Sequence, residues 1–201
     1  MKVLIKHLLD NNIDEIVAKS YLNCHCIGLH SIMLLDSPEK TIRMYITTEN
    51  HEMYEDINLP IAIHPHHCNL TLYCIKGEIF NYNFIKDDVY GTESKIWYYN
   101  SKISDGEMRF TKIGTTKIIE MDTELLKKRD SILLEAKQLH TIKVEKGKIN
   151  AWLVFEGRED KSYIPLCYTN TDLNNVDSSK LYIKPTIKEI KNLIKKSKIL
   201  L

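Results

Sequence analysis

The chain has 201 residues, enough for one packed domain with small appendages, and its 43% hydrophobic and 27% charged content suits a globular protein. A net charge of +1 supplies no global attraction to nucleic acid, an anionic membrane or an acidic partner. There is no apolar run of about 18 residues, so no membrane-crossing helix is expected, and seven glycines with five prolines exclude collagen-like or linker-dominated architectures.

Residues 2–22 read as one or two short helices. Val3, Leu4, Leu8 and Leu9 have helical spacing, Asn11-Asn12 is a break, and a second pattern runs from Ile13-Asp14-Glu15 through Ile16, Val17 and Leu22. Lys6 and His7 interrupt the first apolar stretch and acids follow, which is unlike a secretory signal. Five cysteines, an odd number, fit reduced thiols in a cytoplasmic setting. NCHCIGLH (23–30) then brings Cys24, His25, Cys26 and His30 together. A structural zinc site needs four converging ligands, usually with wider cysteine spacing, and no matching second half follows. Buried structural cysteines at a helix-to-strand junction are expected there.

From residue 27 the period changes. IGLHSIMLL and TIRMYITT read as strands around the turn SPEKT. Residues 63–85 give two strands broken near Lys76-Gly77. KIWYYN and MRFTKIG form a hairpin with Asp105-Gly106 at its tip, TKIIEMD reads as a further strand, and SILLEA, HTIKV, INAWLVFEG and SYIPLCY follow. Glu145-Lys146-Gly147-Lys148 reads as a tight turn. Nine or ten short strands without an intervening helix predict an antiparallel sandwich or barrel rather than βαβ units. At the C-terminus, Thr186 and Glu189 match a capping box. Ile187, Ile190, Leu193, Ile194 and Leu201 make an apolar stripe opposite Lys188, Lys191, Lys195, Lys196 and Lys198, as in a packing helix with a solvated lysine face.

The chemistry concentrates in IHPHHCNLTLYCIKGEIFN (63–81), which holds three of the eight histidines. If it is a strand, alternation puts His64 and His66 on one face and His67 on the other. Two imidazoles so placed can share one metal ion, and a catalytic site usually adds a third protein ligand and keeps an open position. His140 stands out as a candidate third ligand, because it follows a turn and opens a strand.

HPHHCNLTLYCIKGEI resembles the first motif of the cupin (RmlC-like) superfamily, and KRDSILLEAKQLHTIKVEKG resembles the second, over roughly residues 59–157. The resemblance implies a mainly β, antiparallel jelly-roll (cupin) barrel over 27–170. A helical appendage would precede it over 1–26, and a linker and amphipathic helix would follow over 171–201. It also implies that His64, His66 and His140 hold one divalent metal. Leu70 and Thr71 stand where the family usually has a glutamate. The similarity is therefore to three-histidine, cysteine dioxygenase-type cupins, with Fe(II) foremost and Zn, Mn or Ni as alternatives. The activity implied is that of an iron-dependent oxidoreductase, a dioxygenase-like enzyme acting on a small molecule. Two other readings stay open: a non-catalytic small-molecule binding or sensing cupin, and a metal-free sugar isomerase or epimerase. Tyr73 and Trp152, on strands beside the ligand histidines, are expected as pocket walls. A small-molecule ligand and a homodimer paired through barrel edges are the expected partners, with neither nucleic acid nor membrane.

Overall fold

The computed structural model describes residues 2–53, 63–100, 109–157, 166–173 and 178–200. Two helices, α1 (Lys2–Asn11) and α2 (Ile13–Lys19), lead into β1 (Leu29–Asp36), β2 (Thr41–Thr47), β3 (Leu70–Lys76), β4 (Ile79–Lys86) and β5 (Thr92–Asn100). The chain continues through β6 (Arg109–Leu126), β7 (Ser131–Leu134), β8 (Leu139–Val144), β9 (Ala151–Glu156) and β10 (Leu166–Thr169) to α3 (Ile187–Ser197). No helix among the described residues is long and apolar enough to cross a membrane.

The strands form two antiparallel sheets of five, in the orders β1-β2-β9-β3-β7 and β10-β5-β6-β4-β8. Isolated bridges join Ile63 to Tyr168 and His64 to His140. Residues 63–64 thereby link β10 to β8 and curl the second sheet on itself. Taken in chain order, β2, the 63–64 bridge, β3, β4, β6, β7, β8 and β9 switch between the sheets in the order of a two-sheet jelly roll. The β5 strand is an addition that pairs with β6 and β10.

Two details differ from the sequence reading. MRFTKIG and TKIIEMD are one strand of 18 residues, β6, paired first with β5 and then with β4. Its Gly114 does not end it, because threonine and isoleucine on both sides favour extended backbone. The tip of the β5–β6 hairpin lies outside the described residues. The turns at Gly77 and at Glu145–Gly147 fall between strands, as the sequence indicates. Each carries the chain from one sheet to the other, β3 to β4 and β8 to β9. Finally, no regular strand covers residues 65–69, and pairing resumes only at Leu70.

The first sheet is buried on both faces. Outward side chains Ile32, Leu34, Met44, Ile46 and Leu153 pack with Ile5, Leu8, Ile16, Ile190 and Ile194 of the three helices. Inward Leu70, Leu72, Trp152 and Val154 meet Ile79, Leu126 and Val144 of the facing sheet. Double-sided burial explains why SIMLL and AWLVF are continuous apolar runs rather than alternating ones. In α3 the Thr186 hydroxyl accepts from the Glu189 N–H while the Glu189 carboxylate accepts from the Thr186 N–H, so the capping box is formed. Ile190 and Ile194 face the core and all five lysines face outward.

Candidate metal centre

His64, His66 and His140 converge although 74 residues separate the last two. One ring nitrogen from each lies within 4.8 Å of the others. Backbone pairing sets the distance: the His64 N–H donates to the His140 carbonyl at 3.0 Å, and the His140 N–H returns the bond at 3.2 Å. His66 is held by a second tie, since its carbonyl accepts from the Lys137 N–H at 3.0 Å. Buried Pro65 between the two histidines fixes the backbone angle that aims both at the same point. His67 is outside the group.

Hydrogen bonding decides which nitrogen of His140 faces the cluster. Asp122 and Glu124 are carboxylates and accept only. Asn83 Nδ2 donates to Asp122 Oδ1 at 2.6 Å and to Glu124 Oε2 at 3.1 Å. Its Oδ1 accepts from Asn81 Nδ2 at 2.9 Å and from Gln138 Nε2 at 2.9 Å. Asn81 Nδ2 also donates to Glu124 Oε2 at 3.3 Å. With its amide group so engaged, Asn81 can offer His140 Nδ1 only its Oδ1, at 2.8 Å. The proton of His140 is therefore on Nδ1, and Nε2 presents a lone pair.

That lone pair lies 2.9 Å from His66 Nε2. Burial first, and the neighbouring imidazoles second, push the pKa of both rings well below 6.5, so both are neutral. Three converging imidazoles, with one lone pair fixed by an outer hydrogen bond, match the donor set of a divalent cation. The residues present fit a metal, and the donor set is all nitrogen. At the position where the family resemblance would have a glutamate, Leu70 is inward and 2% exposed.

The cluster opens onto a cavity of about 90 Å³. Its walls are mainly apolar: Leu29, Met53, Leu72, Trp152 and Val154, with Tyr45 stacked on Trp152 at 5.5 Å between ring centroids. Glu156 lies at the wall too, and its carboxylate is already engaged by Thr41 and by Arg43 at 3.7 Å.

Trp152 lines this cavity. Tyr73 does not: it packs on the helix-side core, because on β3 the inward positions are 70, 72 and 74. The assignment of Tyr73 as a pocket residue is thus corrected by simple alternation. The region 23–30 divides. Its cysteines, like the other three, are buried and none forms a disulfide. His30 is buried and accepts the Asn23 N–H, but His25 is on the cavity wall, 6.3 Å from His64 between ring centroids. Sequence reasoning also passed over Asn81. The available signal was FNYNF in β4, which puts two asparagines on the same face of an otherwise apolar strand.

No protein-family model and no curated protein matches the sequence. Several solved structures are similar to parts of the chain at low sequence identity. Hydroxypropylphosphonic acid epoxidase from S. wedmorenis is 12% identical over 70% of this chain and 56% of its own, with a TM-score of 0.39. An oxalate decarboxylase from Bacillus subtilis is 12% identical over 76% and 30%, with a TM-score of 0.42. An RmlC-like cupin from Methanocaldococcus jannaschii is 10% identical over 67% and 82%, with a TM-score of 0.37. The chain spans about half the length of the epoxidase.

Proposed function

We propose that this cupin-fold chain binds one divalent metal through His64, His66 and His140 and acts as an oxidoreductase of the dioxygenase type on a small, mainly apolar molecule. The observation that carries the reading is the hydrogen-bond chain from Glu124 through Asn81 to His140, which leaves the Nε2 lone pair facing the other two imidazoles. Such an arrangement orients a metal ligand, because it leaves His140 Nε2 directed at the other two imidazoles. Imidazole suits Fe, Zn and Ni alike, and the resemblance to three-histidine cupins puts Fe(II) first, with Zn, Mn and Ni as the alternatives. When bound, the metal would supply open coordination positions for oxygen and substrate.

The chain's own residues account for the rest. The three histidines hold the metal at the mouth of an apolar cavity, and Trp152, Leu72 and Val154 exclude water from it. About 90 Å³ admits only a short substrate or the end of a longer one. The second reading is a non-catalytic sensor of the same metal and ligand, favoured by the scarcity of unengaged charged groups in the cavity.

Elemental analysis of protein purified without chelators tests the metal. One equivalent that is lost in His64→Ala and in His140→Ala supports the reading, and full occupancy surviving both overturns it. Oxygen uptake across thiols, diketones and phenols separates enzyme from sensor.

A further inference from the structure

Beside the triad, the cavity has a polar wall group that the metal reading leaves unused. His25 sits in the turn between α2 and β1, at φ 70°. That is a left-handed conformation rare for a residue with a Cβ. Asn23, at φ 51°, braces the turn: its Oδ1 accepts the Gly28 N–H at 3.0 Å and its Nδ2 donates to the Lys180 carbonyl at 2.9 Å. The segment that follows Lys180 docks against this turn. The Tyr182 N–H donates to the Asn23 carbonyl at 3.1 Å, and Leu22 pairs with Ile183.

This docking sets the Tyr182 hydroxyl 2.6 Å from His25 Nδ1, with the rings edge to face at 5.7 Å. Tyr182 is itself at φ 53°, so two strained residues meet in one short hydrogen bond. Ordinary packing does not require this, because Tyr182 has Tyr21 beside it as an aromatic neighbour. The remaining polar atom of the ring, Nε2, has no hydrogen-bond partner among the described residues, and its ring is on the cavity wall next to His64.

We propose that His25 is a ligand-contacting residue and Tyr182 its positioning residue. Tyr182 donates to Nδ1, which places the ring proton on Nε2 as a donor to an oxygen or anionic atom of a molecule bound at the triad. The inference rests on the metal reading and adds the class of ligand: one carrying a hydrogen-bond acceptor next to its metal-binding atom, with a short apolar remainder. It also ties the site to the C-terminal segment, because Tyr182 reaches His25 only while residues 180–183 are docked.

Azide is a suitable probe, being a small anion that binds a metal and accepts a hydrogen bond. Protein loaded with Co(II) is titrated with azide by visible absorption, and cobalt content is measured in the same samples. His25→Phe keeps the ring volume and removes the donor; Tyr182→Phe removes one oxygen and leaves the fold's packing in place. The expected result is full cobalt in all three proteins, azide affinity about tenfold weaker in His25→Phe, a smaller loss in Tyr182→Phe, and partial recovery in His25→Gln. Unchanged azide affinity in a cobalt-replete His25→Phe would overturn this proposal alone. Loss of cobalt in His25→Phe would overturn it by making His25 a metal ligand. Failure of the wild-type protein to take up cobalt would overturn the metal reading and this proposal with it.

Discussion

Asn81 accepts a hydrogen bond from His140 at 2.8 Å, and that contact fixes the direction in which His140 presents its lone pair. Asn81 is fully buried on β4, and its own orientation is dictated by Glu124 on β6. The order of control runs from a surface carboxylate, through a buried amide, to a metal-ligand candidate.

Asn81→Leu is therefore expected to weaken metal binding without removing a ligand. Losing an outer hydrogen bond to a ligating histidine typically costs about 10–100-fold in metal affinity. Competition with a chromophoric chelator measures this directly. The same change strips the Nδ2 donor from Asn83 and Glu124, so a stability loss of about 1–3 kcal/mol should accompany it. An affinity equal to wild type in a folded Asn81→Leu would show that His140 needs no help to face the cluster.

A second expectation separates the two aromatic residues on neighbouring strands. Trp152→Ala should lower stability by about 3–5 kcal/mol and enlarge the cavity, since the indole is 2% exposed and stacked on Tyr45. Tyr73→Ala should cost less, about 1–2 kcal/mol, and leave uptake of a small apolar probe such as benzene or xenon unchanged. Denaturant unfolding and probe titration together check the pair. Altered probe uptake in Tyr73→Ala would contradict the alternation that faces this residue toward the helices.

Much of this was legible in the sequence because periodicity reports burial. The strands β1 and β9, the break at Asn11-Asn12 and the box at Thr186–Glu189 each carry a local signal that tertiary structure then respects. The histidine triad was legible through motif resemblance, although alternation of a strand was the wrong reason for pairing His64 with His66. Residues 65–69 form no strand, and the convergence comes instead from Pro65 and the backbone ties to His140 and Lys137. What stayed hidden is what depends on long-range contact. His25 meets Tyr182 across 157 residues, and Asn81 meets His140 across 59. Neither pairing has a signature within a local window. The sheet crossings at Gly77 and Gly147 were hidden for a related reason: a tight turn looks the same whether the next strand pairs with the last or leaves for the other sheet.

Stability should fall as the solution is acidified, through histidines that fold in neutral form. Burial pushes the His30 pKa down to about 4 and the His25 pKa to about 3, from 6.5. Below 6.5 the unfolded chain takes up protons on these rings and the folded chain does not. The stability they leave intact above 6.5 is lost progressively as pH falls toward the folded values. Each such group contributes a slope of up to about 1.4 kcal/mol per pH unit. Urea midpoints from about pH 7 to about pH 5, in chelator and at constant ionic strength, should drop steadily. A flat profile would mean that these rings are protonated equally in both states.

The turn that carries β3 into β4 makes the sharpest test of the fold. Gly77 adopts φ 80°, and a Cβ there would overlap Asn150 Oδ1. That oxygen accepts the Glu78 N–H at 3.2 Å, while the Asn150 N–H and side chain engage Thr47 and the Lys148 carbonyl. Asn150 thus ties the β3–β4 crossing to the β8–β9 crossing, and both deliver strands that carry or flank the cavity. Gly77→Ala should lose the left-handed backbone and the Asn150 contact together, about 2–4 kcal/mol in all. In an Asn150→Ala background the obstruction is gone, and the same change should cost only the backbone part, about 1–2 kcal/mol. Denaturant unfolding of the four proteins gives the coupling energy between the two positions. Strictly additive losses would show that the crossings are held independently, whereas a smaller loss in the double variant would locate their joint restraint in the contact between Gly77 and Asn150.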